Sequence, residues 1–213
     1  MLANALLAPR CAACVAPHPF ESEAPLCDAC RRACLPARTA ANVPGVAPLR
    51  ALWDYSGPVR SLILRAKDRP QGREAAALFS AATAAWSAAF PGASPDLLIP
   101  APSSRRRAAT LPARWAAHMG RTRGLRVANL LRRRLRRPPQ STLDGPARRS
   151  NLRGAIEVRA LRPALAEDLA CGHAMVWIVD DVATTGATLE ECARALRAAG
   201  CTRVGALVLA RVP

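Results

Sequence analysis

The sequence predicts an α/β fold: a mainly parallel sheet with helices on both faces, plus a small N-terminal zinc-binding unit. Three observations predict it. From residue 49 onward, short apolar runs alternate with longer stretches of helical periodicity. Near the C-terminus, an apolar run, a loop of small residues, a helical pattern and a second apolar run follow one another from Val176 to Leu209, the order of a β-loop-α-β unit. Near the N-terminus, Cys11-x2-Cys14 and Cys27-x2-Cys30 stand twelve residues apart, the spacing of a four-cysteine zinc site.

Residues 1–45 form the cysteine-rich unit and its linker, and residues 46–213 the α/β domain. Two C-x-x-C knuckles bring two thiolate pairs to one tetrahedral metal, which replaces the core that so short a segment cannot build. Two disulfides of a secreted protein are the alternative, but Met1 to Pro9 lacks a basic start and a cleavage segment. A redox C-x-x-C is a further alternative, without a thioredoxin-like strand-to-helix context here. Cys34 is a near spare ligand and His18 a distant one, while Cys171, Cys192 and Cys201 read as buried small apolar residues. Asn42 to Pro48 reads as a linker. Leu49 to Tyr55 is an expected strand, turned at Ser56-Gly57-Pro58. Val59 to Lys67 is a short helix, and Gly72 to Phe90 a longer one stopped by Pro91 and Gly92.

Leu97 to Pro100 is a short buried strand followed by an arginine turn. Leu111 to Met119 is helical, ended by Gly120, and Val127 to Arg137 is a basic helix stopped by Pro138-Pro139. Gln140 to Gly154 is a polar loop, Ala155 to Val158 a strand, and Arg162 to Cys171 a connection with room for a short helix. Val176 to Val179, the helix Leu189–Ala199, the Gly200 cap and the strand Val204–Leu209 complete the chain.

The chemistry concentrates in Val176 to Thr188. Asp180 and Asp181 are acceptors when ionised, and sugar hydroxyls are donors. Paired carboxylates hold a vicinal diol directly or through Mg2+. After them, Ala183, Thr184, Thr185, Gly186, Ala187 and Thr188 form a small-residue loop whose backbone N–H groups can close around a phosphate. The helix beyond adds free N–H groups and the positive end of its dipole. A plainer reading makes Thr188 an N-cap, with Glu191 completing a capping box. That reading does not explain two acids before a Thr-Thr-Gly turn. A P-loop NTPase is excluded, because the one lysine, Lys67, is followed by Asp68. No G-x-G-x-x-G opens a helix, so a dinucleotide fold has no fingerprint.

Val176–Thr188 resembles the phosphoribosyl-pyrophosphate (PRPP) binding motif of the type I phosphoribosyltransferases. The resemblance implies that Asp180 and Asp181 hold the ribose hydroxyls and that the loop to Thr188 wraps the 5′-phosphate. Purine-salvage members carry an aspartate where this chain has Thr184, which argues against a hypoxanthine–guanine activity. Together with the N-terminal knuckle, the motif resembles the ComF family of competence proteins. Leu52 to Val59 looks like that family's tyrosine–glycine hairpin, and Leu62 to Lys67 like its lysine-bearing helix. Asp96 to Pro102 looks like its double-proline strand, and Gln140, Leu143, Arg148, Asn151 and Gly154-Ala155 match its later spacing. Between Ser103 and Leu111 the chain keeps the family's arginines but not its glycine and asparagine.

The resemblance implies two functions. One is a phosphoribosyltransferase that displaces pyrophosphate from PRPP toward an unidentified acceptor. Asp180, Asp181, Arg105, Arg106 and Arg107 would be its catalytic residues, Mg2+ its metal with PRPP, and Zn2+ its structural metal. Lys67 is a second candidate for the pyrophosphate, against a plainer reading as an exposed helix-end charge. The other is a non-catalytic adaptor in DNA uptake that meets DNA and a helicase-like partner.

Composition bounds both. The 213 residues are 51% hydrophobic, enough for one α/β core and a metal-bound appendage. No apolar run reaches the ~18 residues of a membrane span, and the missing signal with metal-style cysteines implies a cytoplasmic location. The net charge is +16, and every cationic side chain but Lys67 is arginine. That excess attracts phosphates, nucleic acid included. The densest run, Arg132-Arg133-Arg134-Leu135-Arg136-Arg137, is either a solvated helix end or a phosphate-backbone patch or acidic-partner contact. With one tyrosine, three phenylalanines and four tryptophans, no base-stacking platform is evident.

Overall fold

The computed structural model describes residues 10–17, 26–34, 36–37, 42–92, 95–103, 110–134, 154–159, 163–171 and 174–213. A short helix α1 (Asp28–Arg32) belongs to the cysteine unit. Strand β1 (Leu49–Asp54) enters the sheet and is followed by helices α2 (Gly57–Asp68) and α3 (Arg73–Ala89). Then come β2 (Leu97–Pro100), α4 (Leu111–Arg123), β3 (Leu131–Arg133), β4 (Ile156–Val158) and α5 (Pro163–Ala170). Strand β5 (Val176–Ala183), helix α6 (Ala187–Ala198) and strand β6 (Val204–Arg211) end the chain.

Four strands form one sheet in the order β1-β6-β5-β2, all parallel. The buried runs explain the order: β6 is apolar and buried from Val204 to Ala210, as a central parallel strand must be. Side-chain alternation along β5 divides the core in two. Trp177 and Val179 face α2, α3 and α4, whereas Val176 and Ile178 face α6 and α5. Each helix meets the sheet with one stripe: Val59, Leu62, Ile63 and Ala66 on α2, Leu189, Cys192, Ala193 and Leu196 on α6. Trp177 packs edge-on against Trp86 of α3 at 5.2 Å.

Three expectations need correction. Gly120 does not end α4, which runs on to Arg123 and closes at Gly124 with φ +68°. Gly120 is small for a packing reason, since a Cβ there would lie 2.9 Å from Val127 Cγ2. The segment after Val127 is not a helix: Leu131–Arg133 pairs antiparallel with β4 in a separate two-stranded ribbon. And the stretch expected as a linker is packed. Val43 and Val46 are buried in the α6-side core, Ala47 N–H donates to Val204 O at 2.9 Å, and Arg197 donates to Gly45 O at 3.0 Å. Among the described residues no helix is long and apolar enough to cross a membrane.

Candidate functional site

The site follows from where two neighbouring strands stop. β2 pairs with β5 only up to Pro100 opposite Val179, but β5 continues beside β6 to Ala183. The flank of β5 facing β2 is therefore open from Asp180 onward. The connections leave this point in opposite directions. From β5 the chain passes through α6 to β6; from β2 it passes through α4 and returns beside Leu98 at Val127, on the outer edge. A crevice beyond the carboxyl ends of two strands whose crossovers diverge is the ordinary ligand position in such sheets.

Strand periodicity then separates the two acids. Asp181 follows Trp177 and Val179 onto the α2 face, where Lys67 Nζ reaches its carboxylate at 3.0 Å. Asp180 follows Val176 and Ile178 onto the α6 face. Its carboxylate accepts from Asp181 N–H at 2.8 Å. Burial, first, and the neighbouring Asp181 charge push the Asp180 carboxyl up to about 7, against that hydrogen bond and the positive charges of Lys67 and Arg133. Lys67 is thus not a free helix-end charge: it is half-exposed and stands at the site.

Beyond Ala183, which is buried, Thr184 and Thr185 are exposed. Gly186 adopts φ +76° and is the residue before α6. A Cβ there would lie 2.6 Å from Val43 Cγ2, so glycine is required by both backbone and space. Thr185 Oγ1 accepts from Ala187 N–H at 3.4 Å, and the following N–H groups of the first turn have no intrahelical partner. The capping box does not form. Glu191 is 4% exposed and is turned instead toward Ile156 N–H, at 3.4 Å, and Arg194.

The basic run divides by strand alternation. Arg132 and Arg134 both hold Glu157, at 2.7 and 2.6 Å, and their hydrogen bonds and charge, Arg134 first, keep its carboxyl below the usual range. Arg133, half-buried on the other face, donates from Nε to Pro102 O at 3.3 Å. It was hidden in the sequence because a helix was expected there, and consecutive arginines carry no period-two signal. Arg105, Arg106, Arg107, Gln140, Leu143, Arg148, Asn151, Arg136, Arg137 and His18 lie outside the described residues. A groove of about 340 Å3 runs between the β3–β4 ribbon and the C-terminal half of α6, away from the acids. Its cations are already engaged, Arg134 by Glu157 and Arg194 by Glu191.

At the other end of the chain, Cys11, Cys14, Cys27 and Cys30 come together. Their four Sγ atoms lie within 4.8 Å of one another, and Cys14 and Cys27 are 3.8 Å apart. A disulfide needs about 2.05 Å, and all these cysteines are free. Four sulfurs about 2.3 Å from a tetrahedral zinc would be roughly 3.8 Å apart. Burial opposes ionisation of Cys11, but backbone hydrogen bonds from Cys14, Cys27 and Ala13 outweigh it and bring the thiol to about 6. Burial and the surrounding thiols push Cys30 up. Four sulfur donors at these separations suit a tetrahedral thiolate-binding metal such as zinc. Cys192 and Cys201 are buried as expected, whereas Cys171 is exposed.

Two comparisons with known proteins give a match. A family model described as the phosphoribosyl transferase domain matches residues 122–213, which include β5, the acid pair, the small loop and α6. The solved structure of the allosteric regulatory enzyme of purine biosynthesis is similar at 16% identity and a TM-score of 0.41, covering 63% of this chain. The chain spans about a quarter of that protein, 26% of its length. No curated protein matches significantly. Residues 122–213 are thus similar to a phosphoribosyl transferase domain, within a parallel sheet covered by helices, and the N-terminal cysteine cluster is compatible with a structural metal site.

Proposed function

We propose that this protein binds PRPP at the crevice between β5 and β2 and transfers its phosphoribosyl group to an acceptor. The observation that supports this most is the continuity of Asp180, Asp181 and the Thr184–Thr188 loop at the open end of β5. Asp180 and Asp181 accept from the ribose hydroxyls. The N–H groups from Thr184 to Thr188 receive the 5′-phosphate, with the Thr185 and Thr188 hydroxyls as further donors. Lys67, held at Asp181, and the arginines at 105–107 supply positive charge toward the diphosphate. Mg2+, which suits carboxylate and phosphate oxygens, supplies further neutralisation when bound. The four-cysteine cluster holds Zn2+ as a structural ion. Calorimetric titration with PRPP and Mg2+, then pyrophosphate release with a panel of bases, tests the reading. Absence of both binding and release refutes it.

A second reading is favoured by the charge of +16 and by exposed Arg121, Arg123 and Arg126 around the end of α4. On it, the protein is a ComF-like cytoplasmic adaptor in DNA uptake that binds DNA and a helicase-like partner, with the sugar-phosphate site as a sensor. DNA binding that weakens steeply with salt and survives Asp180→Asn supports it; salt-independent or absent binding removes it.

A further inference from the structure

Glu191 is a buried carboxylate that the sugar-phosphate reading does not use. It lies on α6, five residues beyond Gly186. Its Oε1 accepts from Ile156 N–H at 3.4 Å, and Arg194 donates to its two oxygens at 2.8 Å each. Arg194 also donates to Ile156 O at 3.3 Å. One Glu–Arg pair thereby takes both backbone polar groups of a single β4 residue, as a neighbouring strand would. These contacts favour the charged carboxylate: although burial opposes ionisation, the Arg194 and backbone hydrogen bonds hold Glu191 below its ordinary range.

The gripped residue has a specific neighbour. Ile156 lies directly opposite Arg133 in the β3–β4 ladder. Its N–H and C=O turn outward to α6, while Arg134 N–H bonds Ala155 O at 2.8 Å. Directly opposed residues present their side chains on the same face. Ile156 is buried against α6, so Arg133 is directed toward the α6 side of the sheet, the side that carries Asp180. The Arg133 Nε–H is fixed on Pro102 O, just beyond β2, and its charge favours the Asp180 carboxylate. Arg133 thereby stands beside the open end of β2, and the Glu191–Arg194 pair holds the residue opposite it in the ribbon.

We propose that Glu191 and Arg194 are positioning residues that lock the β3–β4 ribbon to α6 and so aim Arg133 at the diphosphate of a sugar-phosphate ligand. This rests on the PRPP reading of the acid pair and loop. The test compares PRPP with ribose 5-phosphate by calorimetry for Glu191→Gln, Arg194→Lys, Arg133→Gln and the Arg133→Gln/Glu191→Gln double variant. Arg194→Lys keeps the charge but loses the two-pronged grip, and it serves if Glu191→Gln fails to fold. Each single change is expected to weaken PRPP at least tenfold and ribose 5-phosphate less than twofold. The double variant should bind PRPP within twofold of Arg133→Gln alone. Equal loss of both ligands, unchanged PRPP affinity or multiplying effects overturn the proposal. If the wild-type protein binds neither ligand, the PRPP reading fails by itself. The lock is then read by amide exchange: at least tenfold faster exchange at 155–158 with α6 unchanged supports it, and unaltered exchange overturns it.

Discussion

Asp180 offers the sharpest test, because its environment fixes both the sign and the size of a pH effect. Its carboxyl is raised from 3.8 to about 7, chiefly by burial and Asp181. The native state thus holds this proton more tightly than the unfolded chain. The resulting stability is fully present below pH ~4, declines as pH rises toward ~7 and is gone above it. Three units correspond to a ceiling of about 4 kcal/mol; because the group is partly exposed, solvent screening reduces this to about 1–2 kcal/mol. Asp180→Asn removes the charge and should therefore be more stable than wild type at pH 8, with the gap closing toward pH 5. Ligand binding runs the opposite way. With a midpoint near 7 the ionised fraction rises about tenfold between pH 6 and 8, and PRPP affinity should gain a similar factor through this group. Thermal unfolding and calorimetry of both proteins at pH 5, 6, 7 and 8 measure the two effects, with the variant correcting for titration of the ligand's own phosphates. A stability gap that does not change with pH, or equal pH dependence of binding in both proteins, refutes the reasoning.

Gly186→Ala places a Cβ against Val43 at positive φ and should destabilise the protein by about 1–3 kcal/mol in chemical denaturation. Adding Val43→Ala should recover only the steric part. Chelation of a zinc-loaded sample should release one metal per chain and lower the melting temperature, and Cys11→Ser should abolish stoichiometric metal by elemental analysis. Lys67→Met breaks a partly exposed ion pair and should change stability by no more than about 1 kcal/mol. It should also move the Asp180 midpoint upward, because Lys67 favours that carboxylate; a downward move would contradict the placement.

Sequence carried the fold well where burial is continuous. Val176–Val179 and Val204–Leu209 are apolar on both faces, and few arrangements other than a central parallel strand satisfy them. That Asp180 and Asp181 lie late in a buried strand and that a turn at Gly186 opens the next helix was legible from local sequence, and the cysteine spacing announced the cluster of four thiols. What escaped was set by distant partners. Lys67 sits at the end of a helix, and nothing local says that Asp181 meets it 114 positions later. Leu131–Arg133 has helix-compatible composition, and its backbone pairing with the distant Ile156–Val158 makes it a strand. Glu191 stands at capping-box spacing from Thr188, yet the backbone of Ile156 claims it from another element.

The turn at Asn42–Pro48 alters where the molecule can be divided. Composition invites a cut after residue 45, between cysteine unit and α/β body. Such a cut discards Val43, which packs against Gly186 ahead of α6, and the Gly45 carbonyl that holds Arg197. A fragment beginning at residue 46 should therefore retain its sheet but grip a 5′-phosphate loosely. One beginning at residue 42 keeps the turn but still loses Cys11, Ala12, Leu26 and Cys30 from the core they share with Trp53, α2 and α3, and the bond from Ala37 N–H to Leu52 O, so neither cut falls at a natural seam.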